Sequence, residues 1–186
     1  NRPASNPPAL PISSQSHFEV RPAGLRDAKT IAELHLQALS RLADDGLSKE
    51  QQEALVAAAR TINWREAIEF LEPQVYLACD AGTPLGFVGF DRSRDLGTPP
   101  TTGEIWAMAV LPEHWGRGLG LALWDAARDG LLEEGCNKVS IWLPLLNQRA
   151  GRFFELAGFK RELKTAKTVP LGSVKLEEIR LSRTLA

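Results

Sequence analysis

Seven apolar residues in a row, Ile105 to Leu111, are followed by glycine at every second position, Gly116, Gly118 and Gly120, and then by an amphipathic helix. That succession leaves few folds open to the chain. The apolar run suits a strand buried on both faces and is far too short to cross a membrane. Pro112 ends it. Beyond the glycines, Leu119, Ala122, Leu123, Ala126, Ala127 and Leu131 share one helical face, while Asp125, Arg128, Asp129 and Glu133 occupy the other. Gly135 stands where a C′ cap belongs.

Strand, glycine turn and helix together make the geometry of an anion site. The first amides of a helix lack intrahelical partners and carry the positive end of its dipole. Glycines let that backbone close on a phosphate without Cβ clashes, and Arg117 adds a charge. A plain tight corner between strand and helix is the competing reading. A dinucleotide fingerprint fails here, because Gly118 and Gly120 are followed by Leu121, Ala122 and Leu123, and the next strand ends Ile141-Trp142-Leu143-Pro144 with no acidic residue. A P-loop would need Gly-Lys-Ser/Thr, which does not occur.

The rest of the chain alternates strands and helices. Residues 1–17, rich in Pro, Ser and Asn, read as a disordered leader or a cloning remnant, and residues 18–186 as one domain. Phe18 to Arg21 reads as a strand ended by Pro22. A helix is expected from about Leu25 to Leu42. Ser48 with Gln51, and Asn63 with Glu66, are spaced as capping boxes and predict helices over 49–60 and 64–71. Gln74 to Cys79 and Leu85 to Asp91 form a hairpin about Asp80-Ala81-Gly82. Residues 92–102, with Gly97, Pro99 and Pro100, form a loop. Lys138 to Leu143 is a second buried strand, and Pro144 at its end lacks the amide that a continuing ladder would use. A helix over 148–157, capped by Gly158, and a closing hairpin of 161–168 and 174–185 complete the chain.

A net charge of −1 offers nothing for nucleic acid or an anionic membrane to hold. Cys79 and Cys136 form no disulfide framework and have no metal-ligand spacing, which fits buried thiols in a reducing cytoplasm. The three histidines are scattered, so no metal site is expected.

Trp115-Gly116-Arg117-Gly118-Leu119-Gly120, preceded by Val110-Leu111-Pro112-Glu113, resembles the acyl-CoA pyrophosphate loop of the GCN5-related N-acetyltransferases, Gln/Arg-x-x-Gly-x-Gly/Ala. Trp115 stands where Gln or Arg is usual. Asn147-Gln-Arg-Ala150-Gly-Arg-Phe153-Phe154-Glu155-Leu-Ala-Gly158-Phe159 resembles the family's second signature, with Phe154 where Tyr is usual. The resemblance implies an α+β (α/β) acyl-CoA N-acyltransferase fold. Its sheet is mixed, mostly antiparallel and twisted, of about seven strands flanked by helices, with the central strands splayed to admit pantetheine. It implies acetyl-CoA as co-substrate, an amine of a small molecule or peptide as acceptor, no metal, and a dimer as one common arrangement.

Carried over residue by residue, the cofactor would be met by Met108, Ala109, Val110, Trp115, Gly116, Arg117, Gly118, Leu119, Gly120, Leu121, Asn147, Ala150 and Phe154. Backbone amides near Ala109 and Val110 would meet the acyl carbonyl, and Trp115 could stack on the cofactor. Asn147 could equally be a helix cap. Acyl transfer to an ammonium needs a base. Glu104, opening the central strand, is the first candidate, with Glu33 and His35 as rivals. Phe154 has no hydroxyl to protonate a leaving thiolate, and the one tyrosine, Tyr76, is expected on another strand. A non-catalytic acyl-CoA-binding module is therefore the alternative.

Overall fold

The computed structural model describes residues 18–185. The expected leader over 1–17 lies outside the described residues. Seven strands form one sheet: β1 (Phe18–Pro22), β2 (Gln74–Asp80), β3 (Thr83–Arg92), β4 (Thr102–Val110), β5 (Lys138–Pro144), β6 (Lys160–Leu171) and β7 (Val174–Thr184). Their order is β1-β2-β3-β4-β5-β7-β6, antiparallel throughout except for the β4–β5 pair. Five α-helices flank it: α1 (Ala28–Leu39), α2 (Lys49–Ala59), α3 (Trp64–Phe70), α4 (Leu119–Glu133) and α5 (Gln148–Leu156).

The helix starts follow their caps. The Ser48 hydroxyl accepts from the Gln51 N–H while Gln51 returns a bond to the Ser48 N–H, and Asn63 accepts from the Glu66 N–H. Gly135 and Gly158 take φ of 83° and 93°, the left-handed geometry of helix ends. The first helix is shorter than the expected span of Leu25 to Leu42. The buried Asp27 carboxylate accepts from the Gly24 N–H at 2.8 Å and pairs with Arg21, which winds Leu25–Asp27 into a 3₁₀ turn before α1 begins. Beyond α1, a second 3₁₀ turn over Leu42–Asp45 leads to Gly46 at φ 103°.

The sheet has a buried core on each face. On one, Leu119, Leu123, Ala127 and Leu131 of α4 and Phe154 of α5 cover Val88, Phe90, Ile105, Val139 and Ile141. On the other, Ile31, Leu34, Trp64 and Ile68 of α1 and α3 cover Val75, Leu77, Phe87 and Ala109. Cys79 and Cys136 are buried free thiols, and burial pushes both thiol pKa values up.

The two central strands part. β4 and β5 are in register only at Thr102–Lys138, Gly103–Val139 and Glu104–Ser140. Beyond those pairs each strand keeps only its outer neighbour, β3 or β7. Leu111 donates to Leu85 O, so the backbone groups of Ala109 and Leu111 face β3, and by alternation those of Met108 and Val110 face the gap. Leu145 donates to Glu177 O, which by the same rule turns the Pro144 nitrogen to the gap. Proline is tolerated there because no neighbour asks for its proton.

β3 must pass close beneath the end of the β4 prong. A Cβ on Gly86 would lie 2.6 Å from Ala109 O, a backbone atom with nowhere to go. Gly86→Ala is expected to cost about 2 kcal/mol of stability, read as a lower urea midpoint with unchanged slope.

Candidate active site

The turn before α4 is built to leave backbone donors open. Gly116 and Gly118 take φ of 80° and 82°, and a Cβ on either would meet nothing within 4 Å among the described residues, which leave the space beside the turn open. Gly118 is the N-cap, and no side chain among the described residues caps the helix. The first N–H groups of a 15-residue helix therefore point outward with its dipole behind them. Gly120 is constrained differently: its Cβ would press to 3.1 Å on the Phe153 ring and 3.8 Å on Met108. Helix α5, the turn and the β4 edge meet at that point. The turn and the open edge together have the shape and donors to hold a diphosphate and its extended arm.

Arg117 does not stand free in this turn. Its guanidinium donates to Asp80 at 2.6 Å and lies 3.2 Å from His114 Nδ1. Trp115 reaches back instead, and its indole N–H donates to Val110 O at 2.8 Å. The Arg149 guanidinium lies over the Trp115 ring at 4.0 Å, and Arg149 Nε donates to Asp45 at 3.1 Å. Arg41 pairs with Glu113 at 2.7 Å. The segment between α1 and α2 thus contacts the turn that follows β4 and the start of α5.

Glu104 lies at the vertex of the fork. Gly103 and Ile105 face α4, so Glu104 points to the opposite face. It is 2% exposed, and both its oxygens accept from Arg94, one from the backbone N–H at 3.0 Å and one from the guanidinium at 2.6 Å. That guanidinium also lies 4.1 Å over the Trp106 ring. Trp106 is the extra residue where the β3–β4 register shifts between Gly89 and Phe90. The neighbouring Asp95 accepts from the Trp142 indole at 2.9 Å and from Arg180 at 3.0 Å. Two consecutive residues therefore pin the β3–β4 loop across the face opposite α4. A cavity of about 310 Å³ opens on this side, lined by Leu47, Gln51, Pro144, Leu146, Lys175 and Glu177 among others.

The remaining sequence candidates fall in several places. Phe154 is 4% exposed and packs edge-on between Phe153 and Phe159. Asn147 caps α5, its Oδ1 accepting from the Ala150 N–H at 3.2 Å. The Ala109 backbone faces β3, so of the amides expected to meet an acyl carbonyl only those of Met108 and Val110 face the gap. Tyr76 lies on β2, stacked on Phe90. Leu121, in the first turn of α4, is exposed. Glu33 is exposed on α1. Among the described residues no three His, Cys, Asp or Glu side chains gather as a metal site requires, and no helix is long and apolar enough to cross a membrane. Arg94, Asp95, Arg149 and Asp45 were not legible as site residues, because each acts through a partner distant in the chain.

A family model described as the acetyltransferase (GNAT) family matches residues 36–159, from α1 through both the turn and the fork to the end of α5. The chain belongs to that family. Mycothiol acetyltransferase of Kocuria rhizophila is 33% identical over 101 residues, which cover 52% of this chain and 33% of that protein. The chain thus matches about a third of that relative's length. Among solved structures, a GCN5-related N-acetyltransferase from Rhodopseudomonas palustris superposes with a TM-score of 0.73 at 24% identity, covering 92% of this chain and 98% of that one. YncA of Salmonella typhimurium, solved with its cofactor acetyl-CoA, gives 0.67 at 22%, covering 92% and 95%. These two likenesses show the GNAT fold.

His35 offers a measurable property of the face that α1 covers. Its ring lies edge-on to Trp64 and Phe87, each at 5.7 Å, and burial lowers its pKa from 6.5 to about 4. Its Nδ1 has no hydrogen-bond partner among the described residues. The unfolded chain binds this proton more readily than the folded one, so stability present above pH 6.5 is lost as pH falls toward 4. His35→Phe is expected to flatten urea midpoint against pH across that window relative to wild type.

Proposed function

We propose that this chain is an acetyl-CoA-dependent N-acetyltransferase that moves an acetyl group to a primary amine of a small molecule or peptide. The observation that carries this reading is the fork. One prong presents the N–H groups of Met108 and Val110, unpartnered among the described residues, to a gap, and beyond its end the open glycine turn presents the first amides of α4. Membership of the GNAT family supports the reading.

In this reading acetyl-CoA supplies an acyl thioester, whose C–S bond breaks as the amine nitrogen bonds the acyl carbon. The turn amides from Gly116 to Leu121 hold the diphosphate, and the Met108 and Val110 edge aligns the arm and donates to the acyl oxygen. Arg117 contributes to the local field while paired to Asp80. The face carrying Glu104, Trp106 and Trp142 receives the acceptor, and the cavity beside Pro144 accommodates its remainder. Glu104 takes the amine proton through a water, using lone pairs that its two bonds from Arg94 leave open. No tyrosine stands at Phe154, so the thiol leaves as thiolate and is protonated by solvent. A thiol pKa of about 8.5 makes thiolate a fair leaving group.

The buried ring of Phe154 favours one second reading, an acyl-CoA-binding module without turnover. Thiol release over a panel of amines, with calorimetric binding of acetyl-CoA in parallel, separates the two. Release with at least one amine supports the enzyme; binding without release with any of them supports the module.

Gly118→Asp places a carboxylate where the diphosphate is to lie and is expected to abolish acetyl-CoA binding while the circular dichroism spectrum stays native. Unchanged affinity would remove the turn from the site. Glu104→Gln is expected to lower turnover more at pH 7 than at pH 9, since amines with a pKa near ~10 are more often free at the higher pH. A loss equal at both would assign Glu104 to holding Arg94 and its loop.

A further inference from the structure

We propose that Trp115 is a positioning residue for the pantetheine arm: its indole holds the open edge of β4 in shape, and Arg149, anchored on Asp45, holds the indole. The proposal rests on the acyl-CoA reading above and adds to it three side chains and the order in which they act.

The Val110 carbonyl faces the gap, where a strand in ladder with β4 would supply an N–H. Trp115 Nε1 supplies one at 2.8 Å. The last carbonyl of the edge is thereby engaged, while the Met108 N–H, the Met108 carbonyl and the Val110 N–H, without partners among the described residues, remain for a ligand. The indole thus selects which backbone groups the arm can use, and it keeps the peptide after Val110 from turning toward water.

Core packing does not fix this ring, since Trp115 is 41% exposed. Its orientation comes from the bond to Val110 on one side and from Arg149 on the other. The guanidinium lies 4.0 Å from the ring centroid, within cation–π range. Asp45 accepts from Arg149 Nε at 3.1 Å and fixes the plane of that guanidinium. The three residues come from three separate segments, and they meet at the open end of the fork. Trp meets both requirements of the position at once: an N–H that donates without accepting, and a flat face for a guanidinium.

The test is calorimetric titration of wild type, Trp115→Phe and Arg149→Ala with two ligands, acetyl-CoA and 3′-phosphoadenosine 5′-diphosphate, which keeps the diphosphate and lacks the arm. Trp115→Phe keeps a ring for Arg149 and removes the N–H. It is expected to weaken acetyl-CoA by about tenfold, the worth of one hydrogen bond, and to leave the diphosphate ligand within about twofold. Arg149→Ala, which keeps the indole, is expected to shift acetyl-CoA in the same direction by less, and it carries the test alone if Trp115→Phe does not fold. Acetyl-CoA binding that is unchanged or tighter in these variants overturns the proposal, as does an equal loss for both ligands, which would place Trp115 in the turn rather than on the edge. Wild-type protein that binds neither ligand overturns the acyl-CoA reading itself, and is told apart from the other outcomes by that control.

Discussion

Everything distinctive about this molecule follows from a ladder that stops after three residue pairs. A backbone polar group left buried without a partner costs about 1–3 kcal/mol, so a sheet does not open at its centre without compensation. Here the compensation is visible residue by residue. Proline replaces a donor on one prong, an indole engages an acceptor on the other, and outer strands hold both prongs. The few edge groups left over lie beside a helix N-terminus whose own amides are uncapped. Unmet donors are thereby concentrated in one corner, which is what recognition of a long, acceptor-rich molecule requires.

Charge around the fork is balanced rather than massed. Arg117 is matched by Asp80, Arg94 by Glu104, Arg149 by Asp45, and Arg180 by Asp95 and Glu162. An anionic ligand at the turn is therefore met first by backbone dipoles, and the side-chain cations act from within existing pairs. This agrees with a chain whose net charge is −1. It also distinguishes the site from surfaces that collect phosphates by bulk positive potential.

The elements were legible where the signal is local. The capping pair Ser48 and Gln51, the C′ glycines Gly135 and Gly158, and Pro144 each act within a few residues, and each stands in the structure as its type requires. The first helix was read too long because Asp27 looks like an ordinary helix residue until Arg21 is seen beside it. The fork itself was legible only through the resemblance and the hint at Pro144, since strand register is a long-range property. The partners of Glu104 and Trp115 were not legible at all. Arg94 reaches Glu104 across a loop, and Arg149 meets Asp45 across 104 positions of sequence. No spacing rule joins such residues. Trp115 read as a lost polar side chain, yet its indole still supplies a donor, which only its bond to Val110 reveals.

The connection between α1 and α2 rests one ion pair on the turn that follows β4, Arg41 on Glu113, and one on the helix that follows β5, Asp45 on Arg149. Arg41–Glu113 is half-exposed on both sides and Arg149–Asp45 on the arginine side; pairs open to solvent in this way are worth about 1 kcal/mol or less each and weaken as salt rises. The opening at the centre of the sheet is therefore spanned by a tie that thermal motion can release, unlike the packed cores on either side. High salt therefore loosens this tie first, while the backbone ladders to β3 and β7 that hold the two prongs are left intact.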